Sequence, residues 1–468
     1  MSSPVLTTAN AAVGGNLPGP LHGALVASDL YQVSDVPRQL KLRRALCVVL
    51  SICVAIAGFF AFDSYRSVVN TVGRDSVPSI IAAEQIRSGL ANAHTEIVNL
   101  FLLKEDANGP SGKAYVAAIN QAHDKLLLAA QNITFGDEER APILAVMTQL
   151  SEYERIVGMS LATKEQHDLL LKADALMREH ILPAVIALDT ANFKHLVSSY
   201  DDVRQTAKRY FVVFLLLSVL LAVALIEAQW KIFTICKRII NPAMLMGSLV
   251  FVVSLVYMAI QVNHISADLR TAKEDAFDSV HVLSQAQALA YSANAQESMY
   301  LLMPDKELQA KQTRLFKDAA DKLLSSKMGA ANTLIANPKE LKGQGLLADE
   351  LANITFPGEH QAAVDTLKAW LEYVAIDGQI RRLESTGKHD LAVALCVGKL
   401  EHQSDWAFDR FISALSKTLN INQSQFDAGI TRAMSSVQFL AYLLIVILLA
   451  PMLGTIAGIQ KRLLEFRE

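Results

Sequence analysis

Four stretches of the chain carry no charged side chain: 45–62, 211–226, 243–262 and 437–459. A helix rises about 1.5 Å per residue, so roughly 18–20 apolar residues cross about 30 Å of hydrocarbon. Each stretch approaches or exceeds that length, which predicts four transmembrane helices. The first reads as a signal anchor, because its 44-residue leader is too long for a cleaved signal and no small-x-small site follows Phe62. Basic residues flank the spans: Arg38, Lys41, Arg43 and Arg44 before the first, Lys231, Lys237 and Arg238 between the second and third, and Lys461, Arg462 and Arg467 after the fourth. Positive loops stay on the cytoplasmic side. The expected layout is a disordered cytoplasmic tail (1–44), a first span (45–62), an outer region (63–210), a second span (211–227) and a basic linker (228–242). A third span (243–262), a second outer region (263–436), a fourth span (437–459) and a short cytoplasmic end (460–468) complete it. The protein is expected in the cell (inner) membrane, with both termini inside.

The two halves repeat one order of parts. Thr71-Val-Gly-Arg-Asp75 lines up with Thr271-Ala-Lys-Glu-Asp275, Ala91-Asn-Ala93 with Ala293-Asn-Ala295, and Asn132-Ile-Thr-Phe135 with Asn353-Ile-Thr-Phe356. The offset grows from 200 to 221, so the second copy carries an insertion, placed in the Lys327 to Gly345 stretch. The two Asn-x-Thr sequons read as shared turn chemistry before a helix rather than as glycosylation sites. In the first outer region Ile86, Leu90, Ala93, Ile97 and Leu100 step by four and three, as do Leu196, Tyr200, Val203, Ala207 and Tyr210. That spacing makes bundle seams. Turn residues at 106–112, 135–137 and 158–163 separate four helical segments, the last from about Lys164, and helices in the second region start near Ala267, Asp305, Glu359 and Gly387. The fold class is an all-α integral membrane protein with four transmembrane helices and two tandem extracytoplasmic four-helix bundles. Pro78 and Pro183 mark local kinks or helix starts.

Composition narrows the function. Of 468 residues 52% are apolar and 19% charged, and the net charge of -3 gives no basic field for nucleic acid. Intramembrane ionisable residues mark transport paths, and the spans hold only Glu227, at a cytoplasmic edge. Transport is therefore not expected. Cys47, Cys53, Cys236 and Cys396 show no metal or disulfide spacing. No nucleophile, Walker or zinc-protease motif is present, so neither an enzyme nor a cofactor is expected. Asp278-x-x-His281 and His402-x-x-Asp405 put a histidine and a carboxylate on one helical face each, a pattern that eleven histidines also produce by chance. Arg74, Arg87, Arg270, Arg381 and Arg382 are candidates to clamp a ligand carboxylate, although solvated helix faces explain them equally well.

The segments assigned to the cytoplasm are too short for a catalytic domain, so an inward signal passes to a separate protein. The charges available for docking it are Arg38, Arg43, Arg44, Lys231, Lys237, Arg238, Lys461, Arg462 and Arg467, which also meet the anionic headgroups of the bilayer. The bundle layout resembles the four-helix sensor modules of chemoreceptors, without their signalling hairpin. The run Gly73-Arg-Asp-Ser-Val-Pro78-Ser-Ile-Ile-Ala-Ala-Glu-Gln-Ile86, the phrase Leu176-Met-Arg-Glu-His-Ile-Leu-Pro183 and the ending Gly458-Ile-Gln-Lys-Arg462-Leu-Leu-Glu-Phe-Arg467 resemble actinobacterial four-span proteins of the GlnX type. That resemblance implies an amino-acid-binding lipoprotein outside as one partner and a soluble Ser/Thr protein kinase, protein kinase G, inside as the other. It supplies no ligand residue. A homodimer stays open, as do two alternatives: a chemoreceptor-like sensor that binds its ligand directly, and a membrane scaffold.

Topology is checked by reporter fusions. A reporter after Asp137 or Glu359 is expected outside the cell and one after Lys237 inside; protease attack on the Lys237 fusion in intact cells would refute the orientation.

Overall fold

The structure, a computed structural model, describes residues 21–134, 136–163, 166–236, 241–325 and 343–465. Phe135, Lys164, Lys237, Arg238, Arg467 and most of the 327–345 insertion lie outside them. The described residues are helical with short turns, and no strand occurs among them. Their contacts divide the chain into two compact units.

The first unit holds Met1–Phe59, Val212–Tyr257 and Leu443–Glu468. It contains parts of α1 (Leu21–Asn70), α6 (Leu182–Cys236), α7 (Pro242–Arg270) and α13 (Ser404–Glu465). These belong to four helices that are long and apolar enough to cross a membrane. Between α7 and α13 the backbones meet at glycines. A Cβ on Gly454 would stand 2.8 Å from the Ala243 oxygen and 3.0 Å from Gly247 Cα. Gly454 and Gly458 form a GxxxG step, the spacing that lets helices approach closely where lipid leaves packing and hydrogen bonds as the association forces. Asn241 caps the contact: its amide donates to the Gly458 carbonyl at 3.0 Å. Arg43 donates to Glu227 from Nε and Nη2, at 3.0 Å each to the nearer oxygen, which pairs the acidic residue that ends the second span. The helix of α1 already runs from Leu21, where the sequence reading leaves a disordered tail. A helix nucleated by an apolar span extends at little cost into Leu, Ala and Val-rich chain, because propagation adds one hydrogen bond per residue fixed.

The second unit holds Phe60–Phe211 and Met258–Tyr442. Its first half contains α2 (Val77–Leu103), α3 (Pro110–Gln131), α4 (Asp137–Ala162), α5 (Gln166–Leu176) and the start of α6. Its second half contains α8 (Asp278–Leu302), α9 (Lys306–Leu323), α10 (Leu346–Ala352), α11 (Glu359–Ser385), α12 (His389–Cys396) and the start of α13. Asp305 caps α9 by accepting from the Glu307 and Leu308 amides at 3.0 and 2.8 Å. The helix expected from Gly387 is interrupted: α12 ends at Cys396 and α13 restarts at Ser404. One apolar core gathers Ile86, Leu90, Ile97, Val146, Tyr153, Met177 and Ile181. The other gathers Trp370, Tyr373, Phe408 and Phe411. The cores exchange residues, since Met299 of α8 enters the first and Leu102 of α2 the second.

The repeated sequence is repeated as bonds. The Asn132 amide donates to Ser79 Oγ at 2.8 Å, and the Asn353 amide to Ser279 Oγ at 3.1 Å. Glu139 accepts from the Thr134 amide and Glu359 from the Thr355 amide, at 2.6 and 2.7 Å. Gly136 and Gly358, both at positive φ, then open α4 and α11. Both asparagines are exposed, and each amide donates to a buried serine, which gives the two turns the same bond.

Three helices carry a π-helical turn: Thr71–Ser76 before α2, Met177–Ile181 before α6 and Thr271–Phe277 before α8. Pro78 and Pro183 each stand two residues beyond a π turn in a continuous helix, the place where an internal proline removes a hydrogen bond from the ladder. The third turn has Asp278 at the position that matches Pro78, so proline alone does not cause it.

Overpacking a close helix contact costs about 1–3 kcal/mol. Gly454→Val is therefore expected to lower the thermal stability of the detergent-purified chain. Gly158→Ala, in α4 with nothing within 4 Å of its added Cβ, is expected to be neutral or to gain about 0.5–1 kcal/mol. A Gly454→Val chain that melts with the wild type would refute the glycine contact.

Candidate functional site

Helix α2 packs along α8 in the second unit, and the seam between them is polar. Thr95 Oγ1 donates to the Tyr291 carbonyl at 2.9 Å, and Ser298 Oγ donates to Asn99 Oδ1 at 2.6 Å. Beside these bonds opens a cavity of about 490 Å³. Asn92, Thr95, Glu96 and Asn99 reach it from one face of α2, Tyr291 and Asn294 from α8, and Asp405, Phe408 and Asp409 from the first turns of α13. Lys399 comes from the loop between α12 and α13. Spacings of three and four residues place each set on a single helical face.

The charge of this cavity is unbalanced, with four carboxyl groups, Glu96, Glu105, Asp405 and Asp409, around Lys399. Burial is the largest influence on Glu96 and pushes it up to about 6, with Lys399 opposing and Asp409 adding to the rise. Burial likewise pushes Asp405 up to about 7 against the pull of Lys399, and Asp409 moves in the same direction. Among the described residues, Glu96, Asp405, Asp409 and Lys399 close no ion pair or side-chain hydrogen bond with one another, while Glu105 accepts from the Ser111 amide at 3.0 Å. Such a site suits a small molecule with an ammonium group for the carboxyls and an acceptor for Lys399 and the asparagine amides.

Two buried networks flank the cavity on the same helices. In the first core Asp174 accepts from His94 Nε2 at 3.3 Å, Gln296 Nε2 at 3.0 Å and Arg178 Nε at 3.1 Å, while Tyr153 Oη lies 3.2 Å from His94 Nδ1. Burial raises the Asp174 carboxyl, but the hydrogen bond and charge of His94, then Arg178 and Gln296, outweigh it and hold it at about 2. In the second core Glu297 accepts from Ser404 Oγ at 2.8 Å and Tyr373 Oη at 3.2 Å. Burial first, then the charge of Asp377, pushes Glu297 well above the usual carboxylate range. Gln296 and Glu297 are consecutive, so α8 ties one side chain into each network.

The arginines singled out from the sequence do not meet here. Arg381 bonds Asp377 at 2.8 and 2.9 Å and lies over the Tyr300 and Phe316 rings, so it belongs to the second core. Arg87 faces Glu84 at 3.7 Å, Arg270 pairs with Glu274 at 3.0 Å, Arg74 lines a separate groove with Gln85 and Asp427, and Arg382 stands at the end of α11. The His402 and Asp405 couple separates: His402 turns to Glu372 at 3.0 Å, and Asp405 faces the cavity. Asp278 and His281 also part, Asp278 to Lys273 and His281 to Asp189. In the first unit Arg38, Lys231 and Lys461 are exposed, Arg43 is held by Glu227, Arg44 donates to Gln460 at 2.5 Å, and Arg462 is buried. Sequence reasoning missed Glu96, Lys399 and Asp409. The available signal was an acid inside the otherwise uncharged Ala91–Leu103 run and two acids four apart, Asp405 and Asp409, which repel on a free helix face.

A protein-family model described as an actinobacterial sensor domain matches residues 68–201. No curated protein and no solved structure matches this chain. The matched stretch runs from before the first π turn into α6 and includes Asn92, Thr95, Glu96 and Asn99 of the cavity. It gives the chain a sensor domain and a sensing or signalling role.

A carboxyl raised on folding stabilises the fold fully at low pH, and that contribution fades as pH rises from its unfolded value through the folded one. For Asp405 the window runs from about 4 to about 7. Asp405→Asn is therefore expected to lose less melting temperature between pH 5 and pH 8 than the wild type. Parallel curves would show that the carboxyl is not perturbed.

Proposed function

We propose that this chain is a non-enzymatic transmembrane signalling protein of the GlnX type. It relays extracytoplasmic amino-acid availability, of the aspartate, glutamate or glutamine kind, from a binding lipoprotein to a cytoplasmic Ser/Thr protein kinase. The observation that carries the reading is the sensor-domain match over 68–201, because the first and last helices of that region continue through α1 and α6 into apolar spans. The basic clusters beside the spans support a reading in which both termini are cytoplasmic. On that reading the helices around the two apolar cores form two tandem extracytoplasmic four-helix bundles. Among the nine basic docking candidates, Arg38, Lys231 and Lys461 offer exposed charge to the kinase. The others described are held by Glu227 or Gln460 or buried.

A second reading has its own support. The acid-lined cavity between α2 and α8 has the charge to take the amine of an amino acid directly, with Lys399 for its carboxylate. One experiment separates the two. The full chain is reconstituted in membranes, and kinase retention is followed on addition of aspartate, glutamate or glutamine, with and without the binding lipoprotein. The relay predicts a change of at least several-fold only with the lipoprotein present, and loss of retention in the triple variant Arg38→Gln, Lys231→Gln, Lys461→Gln. Direct sensing predicts the change without lipoprotein and its loss in Asp405→Asn. No change under either condition would refute both.

A further inference from the structure

Away from the cavity, three side chains from three helices converge inside the second unit: Glu84 of α2, Asp189 of α6 and His281 of α8. Glu84 and Asp189 are buried, at 2% and 4% exposure, and His281 is nearly so. His281 Nε2 lies 3.0 Å from Asp189 Oδ2 and 3.7 Å from Glu84 Oε1. The facing ligand atoms all fall within 4.8 Å of one another. Neither oxygen of Glu84, nor Asp189 Oδ1, accepts a hydrogen bond from a described donor. A buried carboxylate without donors costs several kcal/mol, so this geometry calls for a cation or a proton.

The donor set discriminates between cations. Bonds of 2.0–2.2 Å to a metal put neighbouring ligand atoms about 3.0–3.6 Å apart, which is the scale of the two His281 distances. The imidazole ring is fixed for the task between Phe193, with centroids 4.8 Å apart, and Phe277, at 6.1 Å. The Gln285 amide sits 2.9 Å from the same Nε2, and turning it would bring its carbonyl oxygen to the site as a fourth donor. One imidazole and two carboxylates favour first-row transition ions over calcium or magnesium.

We propose that Glu84, Asp189 and His281 form a binding site for one divalent first-row transition ion, such as Zn²⁺ or Mn²⁺. The two carboxylates neutralise the ion, and the bond set pins α2, α6 and α8 together, each beyond its own π turn. Without the ion, Glu84 keeps a proton: burial first, and then Asp189, pushes its carboxyl up to about 9. Arg87 on α2 and Lys273 with Asp278 beside the Phe193 ring are the other charged groups around the cluster.

The test uses the full chain in detergent, stripped with EDTA and titrated with Zn²⁺, Mn²⁺ and Co²⁺ separately. One ion per chain is expected, with a higher melting temperature and, for Co²⁺, visible d–d absorption. Glu84→Gln and His281→Gln are expected to weaken uptake at least about tenfold and to abolish the Co²⁺ band. Asp278→Asn, which removes a carboxylate outside the cluster, is expected to leave it intact. The wild-type titration decides the negative case without any variant: no stoichiometric uptake of any of the three ions overturns the site. Undiminished uptake in folded Glu84→Gln overturns it as well.

Discussion

The second unit depends on one constraint: α2 and α8 are buried against each other although both carry groups that water would otherwise solvate. Glu84, His94, Thr95 and Asn99 on α2, and Asn294, Gln296, Glu297 and Ser298 on α8, are all buried. Leaving such a group unmet costs about 1–3 kcal/mol of a net stability of about 5–15 kcal/mol, so most of them find a partner inside. The partners come from every direction. Thr95 and Ser298 bond across the seam, His94 and Gln296 reach the same Asp174 carboxylate, and Glu297 reaches Ser404 and Tyr373. Sliding α8 along α2 by one turn would break bonds in both cores at once.

That dependence explains what could be read from the sequence. Apolar spans, seam spacing and turn motifs are local, and the structure keeps most of them; the turn expected at 158–163 is helix through Ala162, because nothing crowds Gly158, and Tyr210 at the end of the seam is exposed. The Asn132 and Asn353 turns are legible because every bond in them forms within a few residues or to a serine at a matching place in each half. The networks are not legible, because Asp174 meets His94 across 80 residues and Gln296 across 122. A histidine or glutamate in a helical pattern looks the same whether its face is wet or dry. For the same reason Arg381 reads from sequence as a free cation, whereas Asp377 and two aromatic rings hold it in the core. The sequence reading passes over the packing of Gly454, whose partner Gly247 lies more than 200 residues earlier, so only the structure joins them.

The cavity and the networks share their walls, which gives ligand binding a mechanical route. Glu96 and Asp405 hold their protons weakly near neutral pH, being raised to about 6 and about 7. An ammonium group entering between them would favour the ionised forms and exchange protons for its own charge. The work is done on helices that cannot yield locally: Thr95 is bonded to the α8 backbone, and its neighbour His94 is locked into the Asp174 network. Motion is left to the parts of the chain with weaker constraints.

The π turns are such parts. Each lies where a helix of the second unit passes toward an apolar stretch, and each widens the hydrogen-bond ladder by one residue, leaving bonds with poorer geometry than those of an α-helix. Returning a π turn to α-helical winding rotates everything beyond it by roughly 100°, the angle of one residue, while side chains on the packed side stay in register. The turns before α2 and α8 recur in both halves although only one carries a proline, so their position follows from the packing of the helices they precede.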